Sequence, residues 1–223
     1  MKEKMLRHLK AIIGLLLPLA GGGLMGISCS EDTTEENEYV NWQQRNEEYF
    51  KTLEDSLKAN PRTWVKWKNY SLDDTTEGAA TDYVYAKIIR SGSETESPMF
   101  TDSVRLSYRG RLIPSKNYPE GYIFDNGTVY GDYDNDTNST TKFVMVSSGA
   151  EAVVSGWITT LLHMHKGDYW RVYIPYNLGY GKTDVTSSGT VIVPAFSTLI
   201  FDMTLVDFSS AGVAMPTWNS RQW

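Results

Sequence analysis

Three aspartates in the middle of the chain are the first candidates for metal chemistry. Asp132, Asp134 and Asp136 alternate within DYDNDTN, which is how a calcium-binding loop begins. The segment lacks the glycine expected sixth and the glutamate expected twelfth, so a solvated loop is favoured. His163 and His165 are two residues apart and would not share a face of a helix, which argues against a metal pair. The sequence contains no P-loop, dinucleotide fingerprint or zinc-ligand cluster, and we expect neither a metal nor a cofactor.

The stronger chemical signal is a series of aromatic and aliphatic blocks in the second half of the chain. Any one block is weak, because Gly-Trp or Phe-Asp pairs occur by chance in many proteins. Together and in order they resemble the FKBP family of prolyl isomerases, over about residues 82–208. The blocks are LSYRG (106–110), FDNG (124–127), VVSGW (153–157), KGDYWRVYIPYNLGYG (166–181) and VPAFSTLIFDMTLVDF (193–208).

The resemblance implies a site made mainly of apolar side chains. It assigns a catalytic set, Asp125, Tyr180, Trp157 and Phe143, and a substrate-binding set, Tyr108, Phe124, Val153, Val154, Ile192, Val193 and Phe201. In the family the tryptophan forms the floor, while the N–H of the second valine and the tyrosine hydroxyl bind the peptide. Each residue alone would be interpreted as core packing. Retention of the whole set favours an intact site.

The implied reaction explains why such a site carries so few polar groups. Rotation about an X–Pro bond faces a barrier of about 18–20 kcal/mol, because resonance gives the C–N bond partial double-bond character. The twisted amide has lost that resonance and is less polar than the planar one, so a dry, aromatic site favours it. No proton is transferred, so Asp125 is not expected to act as a general base. Asp125 could orient the wall through a hydrogen bond to Tyr108, or face the twisted carbonyl carbon.

The sequence departs from minimal family members in the loops around this site. The stretches between Tyr108 and Phe124 and between Phe124 and Phe143 look long, as does the flap between Gly181 and Ile192. The family's usual Pro-Pro is Pro194-Ala195 here. We expect these differences to affect substrate preference more than catalytic rate.

The elements that would position the site predict an α+β fold. Strands are predicted at 83–89, 103–110, 142–148, 168–175 and 197–208, with one short helix near Ser155 to His163. The expected fold is a twisted antiparallel sheet of five or six strands around that helix. An apolar stripe over 39–58, formed by Trp42, Tyr49, Phe50, Leu53 and Leu57, predicts a further helix that packs on this domain. A partner-binding helix is the alternative.

The N-terminus predicts export. Residues 1–28 contain a basic start and an apolar run that is too short to span a membrane, which is typical of a signal peptide. Cys29 is the only cysteine and lies where a bacterial lipoprotein is lipidated, although Gly26 replaces the usual leucine three residues before it. Ordinary cleavage nearby, leaving a free thiol, is the alternative. We expect a lipid-anchored protein of the cell envelope at the outer membrane, periplasmic or surface-facing.

The resulting organisation has five parts: a signal peptide (1–28), an acidic tether (29–38), a helical extension (39–81), the isomerase-like domain (82–209) and a tail (210–223). The net charge of −6 argues against a nucleic-acid partner. The expected partners are proline-containing unfolded or exported polypeptides, and the membrane through Cys29. A non-catalytic chaperone or envelope-complex module on the same scaffold is the main alternative function, and a glycan binder is a third.

Overall fold

Eleven regular elements make up the part of the chain described by a computed structural model, which covers residues 38–73, 75, 77–125, 141–144 (backbone only) and 153–215. In chain order they are α1 (Trp42–Ala59), β1 (Trp64–Lys68), β2 (Tyr83–Arg90), β3 (Ser103–Arg111), β4 (Ile123–Asp125), β5 (Thr141–Val144), α2 (Ser155–Leu161), β6 (Tyr169–Ile174), β7 (Val185–Ser187), β8 (Thr190–Val193) and β9 (Leu199–Ser209). Short 3-10 helices lie at Ala80–Asp82 and Tyr176–Leu178.

The main sheet is antiparallel and follows the order β1-β2-β6-β9-β3. The outer edge of β3 is shared by two short strands. β5 pairs with Ser103–Leu106, and β4 pairs at Gly110 and Arg111. The sheet therefore contains seven strands in six positions, because β4 and β5 share the position beside β3. The expected α+β fold, with one short helix against the sheet, is confirmed.

Helix α2 packs on one face of this sheet. Gly156 permits the close approach, because a Cβ added there would lie 2.4 Å from Cγ2 of Ile174. All residues from Gly156 to Leu161 are buried. A seven-residue helix is too short to be stable alone, so its contact with the sheet must hold it in place.

Helix α1 covers the opposite face. Phe50 and Leu53 are buried in it, and the Phe50 ring meets the Tyr85 ring edge-on at 5.2 Å. Tyr49 approaches Tyr173, which alternates along β6 with Ile174 on the α2 side. The helix predicted over 39–58 thus exists, and its apolar stripe packs on the sheet.

Three strand pairings were not predicted from the sequence: β1 with β2, β3 with β4, and β7 with β8. The sequence placed residues 39–81 in a helical extension, yet β1 lies within them and forms five cross-strand pairs with β2. The flap read as a loop, yet β7 and β8 form a hairpin in it. Ser188 and Gly189 connect these strands with positive φ values of 49° and 80°, which is the backbone of a type I′ turn.

The α1 face of the sheet also holds a fully buried carboxylate. Asp202 on β9 is 0% exposed, and its oxygens lie 2.6 Å from Nε of Arg171 and 3.1 Å from Nη2 of Arg111. These ion pairs join β9 to both of its neighbours, β6 and β3. The carboxylate is therefore structural rather than part of the predicted site.

Several predicted features lie outside the described residues: the signal peptide, Cys29, residues 30–37 of the tether, the DYDNDTN segment and residues 216–223. Among the described residues, no helix is both long and apolar enough to cross a membrane. The same residues contain no group of three or more His, Cys, Asp or Glu side chains that could hold a metal ion.

Candidate functional site

Three aromatic side chains meet where α2 crosses the sheet. Trp157 of α2 contacts Tyr108 of β3 at 4.8 Å and Phe201 of β9 at 5.0 Å between ring centroids, both edge-on. Tyr108 and Phe201 are 6.2 Å apart. All three are buried. We call these three residues, together with Phe124, the aromatic box.

Phe124 closes the box from β4. Its ring lies 5.6 Å from Phe201 and 6.4 Å from Tyr180, edge-on to each. Gly110 on β3 makes this packing possible, because a Cβ there would lie 2.7 Å from both Phe124 and Phe201. Tyr180 is 42% exposed and so belongs to the rim of the box.

Asp125 brings an acidic group to the box. It pairs with Gly110 across β3 and β4, and its carboxylate accepts a hydrogen bond from the Tyr108 hydroxyl. Burial, followed by the charge of Asp125 and this hydrogen bond, raises the pKa of Tyr108. Burial and the same charge also raise the pKa of Tyr180. The hydrogen bond favours the wall-orienting role of Asp125 over the alternative that it faces the substrate carbonyl.

The start of α2 presents backbone donors beside the box. Val154 caps the helix in extended conformation, and its carbonyl accepts the Trp157 N–H at 2.9 Å. The first N–H groups of a helix have no partner within it, which leaves them for a ligand or solvent. Val153 and Val154 are both half-buried against the core.

The flap hairpin carries two more of the predicted site residues. Ile192 is half-buried and Val193 is buried. The base of the flap is closed by the Phe196 N–H to Gly181 oxygen bond, 2.9 Å, and by the Ala195 N–H to Asp184 Oδ1 bond, 2.7 Å. The Pro194-Ala195 departure therefore falls at this base, away from the hairpin tip.

Comparison with known proteins identifies this arrangement. Residues 94–206 match the family described as FKBP-type peptidyl-prolyl cis-trans isomerase. The chain belongs to this family. A solved FKBP-like relative, the peptidyl-prolyl cis-trans isomerase of Pseudomonas syringae, shares the fold with a TM-score of 0.50 and 22% identity, over 75% of this chain and 96% of its own.

Two curated relatives are similar to this chain over part of its length. The macrophage infectivity potentiator of Trypanosoma cruzi is 32% identical over 129 residues, covering 58% of this chain and 54% of that protein. The FKBP-type 22 kDa peptidyl-prolyl cis-trans isomerase of Escherichia coli is 31% identical over 121 residues, covering 54% of this chain and 48% of that protein. The chain spans about half the length of the curated relatives it matches.

The structure brings together most of the residues that the FKBP resemblance implies. Six of them are linked by the ring contacts and the carboxylate described above: Tyr108, Phe124, Asp125, Trp157, Tyr180 and Phe201. Val153, Val154, Ile192 and Val193 belong to the same apolar cluster. Phe143 lies on β5 opposite Val104, and its side chain is outside the described residues. Their roles in binding and catalysis stay predictions.

Gly110 had no predicted role, although it ends the LSYRG block. A glycine inside a strand often marks a close approach of neighbouring groups, and that signal was present. From the sequence, the long loop after β3 was recognisable only as a departure from the family. No local pattern could reveal what holds that loop, because its partner is distant in sequence.

Proposed function

We propose that this FKBP-family chain is an active peptidyl-prolyl cis/trans isomerase. The observation that carries the proposal is the aromatic box of buried Tyr108, Trp157 and Phe201 with half-buried Phe124, and the Asp125 carboxylate hydrogen-bonded into its wall. A dry aromatic site favours the less polar, twisted amide over the planar one. Because the carboxylate is engaged by Tyr108, it holds the wall in shape and leaves the proline to apolar contacts.

Each residue then has a distinct task. The proline ring packs on Trp157, Phe201 and Phe143. The Val154 N–H and the Tyr180 hydroxyl bind carbonyl groups beside the proline. Burial and the charge of Asp125 both keep the Tyr180 phenol protonated, so it can donate that hydrogen bond throughout the physiological range. The reaction requires no cofactor, since no covalent bond is made or broken.

We further propose that the enzyme works outside the cytoplasm on exported, proline-containing polypeptides and is held to the cell envelope by lipid on Cys29. The support is the sequence pattern of residues 1–29. Mass spectrometry of the membrane-extracted protein should find an acylated N-terminal Cys29, and Cys29→Ser should release the chain from membranes. An unmodified, soluble wild-type protein would exclude the anchor without affecting the isomerase assignment.

The catalytic proposal is tested by following cis-to-trans exchange of X–Pro peptides with the full chain in mild detergent. The uncatalysed reaction takes tens to hundreds of seconds, so acceleration is easily measured. Trp157→Ala should abolish most of the acceleration, and Asp125→Ala should reduce it. Trp64→Ala is the matched control, because Trp64 is also buried but stacks on Tyr173 on the α1 face, 5.3 Å away.

Both tryptophan variants should lose stability, by about 3–5 kcal/mol as for other large-to-small core changes. Only Trp157→Ala should lose activity at a temperature where both remain folded. If a folded wild-type protein accelerates no peptide across several X residues, the isomerase proposal is wrong. The alternative would then be a non-catalytic module that binds proline segments, which titration of the same peptides against tryptophan fluorescence would detect.

A further inference from the structure

Glu38, in the turn that precedes α1, is bonded to the loop between β3 and β4, which we call the rim loop (residues 112–122). Its Oε1 accepts the Asn117 backbone N–H at 3.1 Å, and its Oε2 accepts a hydrogen bond from the Asn117 side-chain amide. The Ser115 hydroxyl also donates to this carboxylate. The Glu38 side chain thus accepts hydrogen bonds from three donors of one loop, and Asn117 of that loop lies 79 positions after Glu38 in the sequence.

The rim loop leads directly into the residues that close the aromatic box. Its last residue, Tyr122, accepts the Leu112 N–H at 2.9 Å, so the two ends of the loop are joined. The next residues, Ile123 to Asp125, form β4, which pairs with β3 at only two positions. So short a strand contributes little to its own position. The placement of Phe124 and Asp125 must therefore depend on the loop before them.

The other side of the turn is fixed to the sheet. Arg45 of α1 donates from Nη1 to the Glu38 carbonyl at 2.9 Å. The Trp42 indole N–H donates to Ser197 Oγ at 2.8 Å, and the Thr198 N–H donates to Asn46 Oδ1 at 2.7 Å. Ser197 and Thr198 immediately precede β9, which carries Phe201. The turn and the start of α1 therefore connect β9, which carries Phe201, to the rim loop, which leads to Phe124.

We propose that Glu38 is a positioning residue for the prolyl site, holding the rim loop so that Phe124 and Asp125 close the aromatic box. This inference rests on the proposed isomerase function. It extends the working site beyond the FKBP-like domain to the segment before α1. It also gives the long rim loop a definite conformation in the unbound protein.

A local role, rather than a contribution to global stability, follows from the setting of Glu38. It lies at the surface, where solvent screens charge and exposed polar contacts add little to the free energy of unfolding. Hydrogen bonds from Ser115 and Asn117 hold the pKa of Glu38 below its ordinary value, so the carboxylate stays ionised at neutral pH. Its loss should free the loop while the core remains folded.

The experiment compares Glu38→Ala, Glu38→Gln and Asn117→Ala in the full chain, with Glu48→Ala as the matched control. Glu48 is an exposed glutamate of α1 whose one hydrogen-bond donor among the described residues is Gln44 of the same helix, at 2.8 Å. Peptide exchange kinetics give KM and kcat. Hydrogen–deuterium exchange over residues 112–125 reports the rim loop and β4 independently of activity.

We expect Glu38→Ala, which removes all three exposed hydrogen bonds to the loop, to raise KM about three- to tenfold, with kcat within about twofold. Glu38→Gln keeps one oxygen for the Asn117 N–H and should recover part of the affinity. Asn117→Ala removes only the side-chain amide bond and keeps the backbone N–H, so its effect should be in the same direction but smaller, and the double variant should be no worse than Glu38→Ala alone. Exchange over 112–125 should accelerate in these variants and stay unchanged in Glu48→Ala.

An unchanged KM and unchanged exchange in Glu38→Ala would overturn the proposal. Fully additive effects of Glu38→Ala and Asn117→Ala would also overturn it, because the two residues would then act separately. If Glu38→Ala fails to fold, Asn117→Ala tests the same bond from the loop side. If the wild-type protein is no isomerase, the proposed function fails, and the exchange data alone decide whether Glu38 holds the loop.

Discussion

Replacing Gly110 with alanine tests how tightly the aromatic box is packed. The new Cβ would lie 2.7 Å from Phe124 Cζ and 2.7 Å from Phe201 Cε1. Carbon atoms in contact prefer about 3.5 Å or more, so each ring would have to retreat by about 0.8 Å. Both rings are held by neighbours, Phe201 by Trp157 and Phe124 by Tyr180. Overpacking of this kind costs about 1–3 kcal/mol.

The expected result is a melting temperature lower by about 2–12 °C, since each kcal/mol shifts Tm by about 2–4 °C in a chain of this size. The KM for X–Pro peptides should rise as well. The sign of the change is decisive, because alanine in a strand interior is otherwise favoured over glycine by about 0.5–1 kcal/mol. A stabilised Gly110→Ala would refute the packing argument. Placing Gly110→Ala in a Phe124→Leu background should recover part of the loss, and failure to recover any would exclude Phe124 as the obstacle.

Three further results are expected. Tyr108→Phe and Asp125→Asn should each lower the free energy of unfolding by about 1.5–3 kcal/mol, the range for a charge-assisted hydrogen bond. A double-mutant cycle should show strong coupling between the two residues, and additive losses would mean that the bond is not formed. Burial raises the pKa of Tyr173 to about 12, so the stability it contributes is complete below about pH 10 and is lost as the pH rises through 12; thermal melts of Tyr173→Phe should show a shallower alkaline decline. Asp202→Asn should cost about 3–5 kcal/mol in urea unfolding because it leaves the largely buried Arg111 without its counter-charge, and a loss below 1 kcal/mol would contradict this.

The sequence predicted those elements in which one face is buried and the apolar residues recur with the period of the helix or strand. Helix α1 is such a case, although the pattern passed over Asn46, which is buried because it bonds the Thr198 N–H. Strand β1 was missed because both of its faces carry tryptophan. Trp64 stacks on Tyr173 on one side, and Trp67 stacks on Trp170 on the other. Since the face that carries Trp64 also carries Lys66 and Lys68, apolar and polar residues do not divide cleanly between the two faces of this short strand.

The candidate site was predicted through family resemblance rather than through periodicity. Aromatic residues such as Trp157 and Phe201 carry no local mark that separates a binding wall from a core, so only the set in order could indicate them. The flap hairpin was missed because its polar residues, including Ser187 and Thr190, read as a loop. The bond between Glu38 and Asn117 joins segments far apart in the chain, and only a three-dimensional structure can reveal such a pair.

Strand β9 has a consequence for how this protein is made. It is the last strand of the main sheet in sequence, yet it lies between β6 and β3 and carries Phe201. During synthesis, one edge of β3 and one edge of β6 stay unpaired until residues 199–209 have been made. Such edges recruit other strands, and long-range pairing of this kind folds slowly. The chain is therefore vulnerable to aggregation until its final strand arrives.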